Sequence, residues 1–292
     1  MLRHTVTTPD GRALDVHEGG DPRGVPVVVI YGTPSGGLIY EPHAEDAARQ
    51  GLRLVSWARP GYAGSDPQPG RSVADVVPDA VAVADALGIE RFGVWGISGG
   101  GPHALALAAL LPERVPAAVS LAGVAPWDAE GLDYLEGMGE GNLEEFAAVL
   151  EGRGALEPLL ERYRTAFATA TGADLRRELA TLLSDVDAAV ASDDLADHLV
   201  AAVQAGLANG VEGWAADDDA FVTAWGCDLD AIAVPVLIWH GEHDRFVPTA
   251  HGRWLARHVP GAEARITAED GHLTLMAHRV PEVHGWLLER LT

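Results

Sequence analysis

Three side chains of this 292-residue chain have types and settings suited to a single reaction: Ser98, Asp244 and His272. Ser98 stands in Gly96-Ile97-Ser98-Gly99-Gly100, between the apolar run Phe92 to Trp95 and the helical pattern His103 to Leu111. Glycines at such a junction remove side chains that would collide in a sharp turn, so the hydroxyl is presented at the start of a helix. A serine hydroxyl holds its proton too tightly to attack a carbonyl carbon at neutral pH and needs an adjacent base. His272, in Glu269-Asp270-Gly271-His272, is the candidate base. Asp244, in Gly241-Glu242-His243-Asp244, is the candidate for fixing the imidazole tautomer and stabilising the imidazolium that forms midway. Glu242 lies in the same loop and competes for that orienting role.

The elements that must position these groups follow from the apolar pattern. Thr5 to Thr8 and Leu14 to His17 read as an opening hairpin around Pro9-Asp10-Gly11. Val25 to Tyr31, Leu52 to Trp57, Phe92 to Trp95, Val119 to Ala122 and Val234 to Trp239 are short apolar runs, the signature of strands in a parallel sheet covered on both faces, and Ala264 to Thr267 reads as a further strand. Helical segments over 38–50, 73–87 and 100–111 separate the first of them. The architecture implied is α/β. Ser98, Asp244 and His272 each fall just past the carboxyl end of a predicted strand, where open α/β sheets place their ligands.

Between positions 127 and 228 the alternation stops. About a hundred residues carry helical periodicity and no convincing strand, far beyond an ordinary connection. Helices are expected over 142–150, 155–171, 173–183 and 195–207. The segment is expected to form a lid above the strand ends, dividing the chain into a core of 1–126 and 229–292 with an inserted cap of 127–228. Its glycine-rich entry, 131–141, and its exit, 210–213, are the expected hinges. Asp217-Asp218-Asp219 reads as a solvated helix start rather than a metal site, because a calcium loop would need ligands spaced around an obligatory glycine.

Over nearly its whole length the chain resembles the serine α/β-hydrolases. The resemblance rests on Tyr31-Gly32-Thr33-Pro34-Ser35-Gly36-Gly37, similar to the oxyanion loop after the third strand, and on Arg59-Pro60-Gly61-Tyr62-Ala63-Gly64-Ser65-Asp66, similar to the loop after the fourth. Ser98, Asp244 and His272 match the triad positions in the family's chain order. The string from Gly96 to Ala104 is most similar to a bacterial, lid-bearing branch of esterases and proline-iminopeptidase-like enzymes. The resemblance implies an eight-stranded, mostly parallel sheet with a helical lid inserted after the sixth strand. It also implies an oxyanion hole made by the backbone amides of Thr33 and Gly99, Pro34 having no amide hydrogen to offer. Two positions depart from the family's pattern: Tyr31 replaces a histidine, and Ala58 replaces an aspartate.

Composition restricts the partners. The formal net charge of -23 repels phosphate, which argues against nucleic acid and anionic membrane surfaces. All twenty basic residues are arginine and none is lysine, a pattern expected of a GC-rich bacterial genome. Cys227 is the sole cysteine, so no intramolecular disulfide can form. No apolar signal core or membrane-length run is evident, and the expected location is cytoplasmic, as monomer or homodimer. His240 and His243 beside Asp244 raise a metal reading, but they lack a third ligand at familiar spacing, and no metal or organic cofactor is expected.

The expected function is carboxylic-ester hydrolysis through an acyl-serine, on a small to medium, partly apolar small-molecule substrate. The same triad also supports proline-releasing aminopeptidases, lactonases, carbon–carbon bond hydrolases and cofactor-free haloperoxidases. An aminopeptidase would need carboxylates of the insertion near Ser98 to hold a free amine, and Glu136, Glu140, Glu144 and Glu145 are available. A catalytically silent small-molecule receptor of the same fold is the alternative from another class.

Overall fold

The computed structural model describes residues 1–179 and 182–292. Eight strands form one sheet: β1 (Leu2–Thr7), β2 (Ala13–Gly20), β3 (Val25–Ile30), β4 (Leu52–Trp57), β5 (Gly93–Ile97), β6 (Ala118–Leu121), β7 (Val236–Gly241) and β8 (Glu263–Thr267). Their order across the sheet is β1-β2-β4-β3-β5-β6-β7-β8. β2 pairs antiparallel with β1 and β4, and every other neighbouring pair is parallel. The chain leaves β3 toward one edge to form β4, then crosses to the other side to form β5. The order therefore reverses between β3 and β5, whose ends lie side by side with Ile30 opposite Gly96. A crevice opens at such a reversal because the connections depart to opposite faces.

The near-continuous apolar character of the central strands reflects burial on both faces. Val28, Ile30 and Val94 pack toward α2 (Val76–Ala86), α3 (Gly100–Leu110) and α10 (Thr249–His258). Val27, Val29 and Trp95 pack toward α1 (Glu41–Gln50) and α12 (Val280–Leu291). β5 runs to Ile97, beyond the predicted run, because Gly96 and Ile97 keep their pairing with Ser120 and Leu121 of β6. α1 begins only at Glu41, with a proline in its first turn.

Between β6 and β7 lie α4 (Glu140–Glu151), α5 (Arg153–Phe167), α6 (Gly172–Glu178), α7 (Asp185–Val190), α8 (Asp193–Gly206) and α9 (Glu212–Phe221). Hydroxyl caps explain three of the starts: Thr171, Ser184 and Ser192 accept from backbone amides three residues on. The predicted helix over 173–183 corresponds to α6 in its first part, while positions 180 and 181 lie outside the described residues. α7 and α9 are additions to the predicted set. Leu156, Leu160 and Trp214 of these helices, with Leu207 just past α8, form a separate apolar cluster with Ala58 and Tyr62 of the loop after β4.

Two expectations for this segment are corrected. Asp217 and Asp218 are not a solvated helix start; they lie inside α9 and are buried, Asp217 fully. Arg59 and Arg71 pair with Asp217, which is what makes its burial tolerable. Gly213 is not a free hinge residue. It belongs to α9, and a Cβ there would lie 2.7 Å from the Tyr62 ring, so its missing side chain serves close packing on Gly61 and Tyr62.

Candidate active site

Ser98 sits in the turn from β5 to α3 with φ of +55°, in the left-handed region that non-glycine residues seldom occupy. The turn is tight enough to exclude side chains next to the serine. A Cβ at Gly96 would strike the Gly100 carbonyl, and one at Gly100 would strike that of Ile30. The loop after β3 passes directly alongside, since a Cβ at Gly32 would lie 3.1 Å from the Ser98 Cβ.

β7 delivers Asp244 and β8 delivers His272. His272 Nδ1 and Asp244 Oδ2 are 2.7 Å apart, and Asp244 Oδ1 accepts from the amides of Phe246 and Val247 at 2.9 and 2.8 Å. Nδ1 must donate in this pair, which leaves Nε2 as the basic nitrogen. Phe246 stacks on the imidazole at 4.6 Å between centroids. Burial alone would disfavour charge on His272, but the charge of Asp244, its hydrogen bond, and then the charge of Asp187 outweigh it and raise the imidazole above its ordinary value. Glu242 takes no part; it is exposed and pairs with Arg253 at 2.5 Å. His240 is buried and driven toward neutrality by that burial, against the pull of Asp244, and its Nε2 donates to the Val247 carbonyl at 2.7 Å.

Ser98 and His272 line one cavity of about 260 Å³, together with Thr33. Neither the Thr33 amide nor the Gly99 amide has a hydrogen-bond partner among the described residues. Tyr31, Phe167, Leu199, Val203, Trp214 and Met276 give the walls an apolar character. Tyr31, which stands in the family's histidine position, turns its buried hydroxyl to the Tyr40 amide at 3.2 Å. Ala58 is fully buried in the cluster around Trp214.

Polar groups in the walls are few. Of the four glutamates considered from sequence, only Glu145 lines the cavity, and Glu144 is exposed and paired with Arg162 and Tyr163. Burial pushes the Glu145 carboxyl up to about 6, against hydrogen bonds from Trp214 and Asp218. Burial and the neighbouring Glu145 push Asp218 well above the ordinary carboxylate range. His198 is held at about 4 by burial and is neutral at pH 7. No arginine lines the cavity among the described residues.

Beneath the loop after β3 lies an ionic network that motif reading misses. Arg59 donates to the carbonyls of Tyr31 and Gly32 at 2.5 and 3.0 Å and to Thr33 Oγ1 at 2.9 Å. It also pairs with Asp217 at 2.5 Å, and Arg71 meets the other carboxylate oxygen at 2.6 Å. Tyr62 donates to Asp217 at 2.9 Å. Burial would raise Asp217, but Arg59 and then Arg71 hold it well below its ordinary value. His103, on α3, is buried with Nδ1 on the Val73 carbonyl at 3.1 Å and its other nitrogen 3.9 Å from Asp217. The sequence does hold a signal for this network. Asp217 and Asp218 sit between Trp214-Ala215-Ala216 and Ala220-Phe221, with no polar helix face to carry them into solvent.

Comparison with known proteins agrees with this fold. Residues 25–278 match the family described as alpha/beta hydrolase fold. The chain is 28% identical to a 2-hydroxy-6-oxononadienedioate/2-hydroxy-6-oxononatrienedioate hydrolase of Cupriavidus pinatubonensis, over 86% of this chain and 82% of that protein. It is 29% identical to a non-heme chloroperoxidase of Streptomyces lividans, over 84% of each. Among solved structures, an alpha/beta hydrolase fold protein from Nakamurella multipartita superposes with a TM-score of 0.67 at 27% identity, covering 99% of both chains. An esterase from Exiguobacterium antarcticum shares the fold, with a TM-score of 0.70 at 19% identity over 99% of both. With its eight-stranded sheet and its reversal point between β3 and β5, the chain belongs to the α/β-hydrolase family.

Proposed function

We propose that this α/β-hydrolase is a carboxylesterase that works through an acyl-serine. The observation that carries the reading is the 2.7 Å Asp244–His272 pair opening on the same cavity as Ser98. Ser98 Oγ attacks the ester carbonyl carbon while His272 Nε2 takes its proton. The oxyanion is stabilised by the amides of Thr33 and Gly99, two donors with no competing partner among the described residues. Collapse breaks the ester C–O bond, and the imidazolium returns its proton to the leaving alkoxide. Water then attacks the acyl-serine by the same route, releasing the carboxylic acid and restoring Ser98.

The cavity walls favour an uncharged, partly apolar ester. Five relatives are named as 2-hydroxy-6-oxononadienedioate/2-hydroxy-6-oxononatrienedioate hydrolases and one as a 2-hydroxymuconate semialdehyde hydrolase, and a dioate carries two carboxylates. Here no arginine lines the cavity among the described residues, and its acid, Glu145, would repel a second carboxylate. Carbon–carbon bond hydrolysis is the second reading, favoured by those relatives. Residues 127–228 act in either case as the lid whose helices supply most of the apolar wall.

The deciding assay follows p-nitrophenyl acetate, butyrate and octanoate with wild type and Ser98→Ala, and a 2-hydroxy-6-oxo-dienoate in parallel. Sustained ester turnover lost in the variant supports the esterase. Turnover of the dienoate alone would transfer the assignment to carbon–carbon cleavage.

A further inference from the structure

The insertion also reaches the backbone that carries His272. Asp187 of α7 is fully buried, and its carboxylate accepts from three consecutive amides. His272 donates to Oδ2 at 3.0 Å, and Leu273 and Thr274 donate to Oδ1 at 2.8 and 3.0 Å. Ser184 Oγ donates to Oδ2 at 2.9 Å and braces the carboxylate from its own side. The approach is close: a Cβ on Gly271 would lie 2.6 Å from Asp187 Cγ.

The first amides of a helix lack intrahelical acceptors, and a residue adjacent in sequence commonly satisfies them. At the short helix α11 (His272–Thr274), which continues toward α12, the acceptor comes from 85 residues away. A carboxylate in that position forms charge-assisted bonds and complements the helix dipole.

We propose that Asp187 is a positioning residue for His272, locking the backbone from His272 to Thr274 so that the imidazole stays aligned on Asp244 and faces the cavity. The proposal rests on His272 as the base of the reading above. Because Asp187 belongs to the insertion, the alignment of the base depends on α7 being seated. The charged and titratable groups around the imidazole are few. Asp244 meets Nδ1 and Asp187 the backbone amide, the buried His240 stands 3.5 Å from Asp244, and Asp270 is occupied by Arg279 at 2.9 Å.

The test combines NMR titration of the His272 ring with steady-state kinetics in wild type, Asp187→Asn and Gly271→Ala. Asparagine keeps the shape but removes the charge, so His272 should titrate at lower pH than in wild type, and the acidic limb of kcat/KM should move the same way. kcat should fall about tenfold from the looser imidazole, with KM changing less. Gly271→Ala pushes against the carboxylate from the other side and should reproduce the loss in kcat. A folded Asp187→Asn protein with unchanged His272 titration and unchanged kcat overturns the proposal. If that variant does not fold, wild-type kcat in Gly271→Ala overturns it. The titration reads the imidazole without turnover, so failure of the esterase reading leaves the role of Asp187 decidable.

Discussion

The Thr33 hydroxyl donates a 2.6 Å hydrogen bond to Asp217 Oδ2, tying the loop after β3 to a helix of the insertion 184 residues further along the chain. Arg59 binds the same carboxylate and two carbonyls of that loop, so the loop beside Ser98 is held by a group from the core and a group from the insertion. Its amides reach the cavity already oriented, which is the condition for stabilising charge without reorganisation.

Removing Asp217 should therefore damage stability and catalysis together. Asp217→Ala leaves Arg59 and Arg71 buried without their shared counter-charge, and breaking such a pair costs about 3–5 kcal/mol. Urea unfolding should register that loss. In whatever fraction folds, kcat should drop more than KM rises, because Thr33 is freed. A variant as stable as wild type would show that the network is not the support described.

The pH dependence follows from the His272 environment. Its protonated form is favoured by Asp244 and Asp187 over the opposing effect of burial, so the ascending limb of kcat/KM should lie above the ordinary histidine value. Activity appears as the proton leaves, hence rises with pH through that raised value. Asp244→Asn should move the limb to lower pH and reduce the rate, since the charge and the tautomer lock are both lost. A pH–rate profile that is flat through the histidine range, with chemistry limiting, excludes His272 as the base.

Glu145 and Asp218 make a separate prediction about stability. Both carboxyls are held above their unfolded values, Glu145 at about 6, so folding favours their protonated forms. Their contribution is complete at acid pH and is lost as pH rises through the folded values. Glu145→Gln removes one titration while an amide oxygen can still accept from Trp214. Unfolding free energy measured across pH 5 to 8 should fall less steeply in the variant, and parallel curves would show that Glu145 is not held above its unfolded value.

How much of this is legible in the sequence depends on the distance over which each device operates. The strand ends that carry Ser98, Asp244 and His272 are readable because each is a local strand, turn and helix start, punctuated by glycine or proline. The central strands are readable because burial on both faces leaves short apolar runs, and the opening hairpin of β1 and β2 because Pro9-Asp10-Gly11 marks its turn. Arg59–Asp217 and Asp187–His272 span 158 and 85 residues, and nothing local in either segment names its partner. Asp217 reads as solvated because aspartates are seldom buried, a rule that fails when guanidinium groups from another segment meet them. α7 escapes notice because six residues carry too few apolar positions to set a helical period.

The backbone at Ser98 separates stability from function. A φ of +55° is strained for serine and accessible to glycine, and a left-handed non-glycine residue costs on the order of 1–3 kcal/mol. Glycine adds freedom to the unfolded chain, which returns roughly 0.5–1 kcal/mol of that difference. Ser98→Gly should thus unfold at a higher urea concentration than Ser98→Ala, by about 1 kcal/mol, although both lack the hydroxyl and neither should turn over esters. Alanine keeps the Cβ and therefore the strain, so comparing the two variants isolates the backbone from the lost hydroxyl. Equal stability would mean that the neighbouring glycines, not the serine, absorb the tightness of the turn. Higher stability in Ser98→Gly would show that the chain holds its nucleophile in an unfavourable conformation that the surrounding fold sustains.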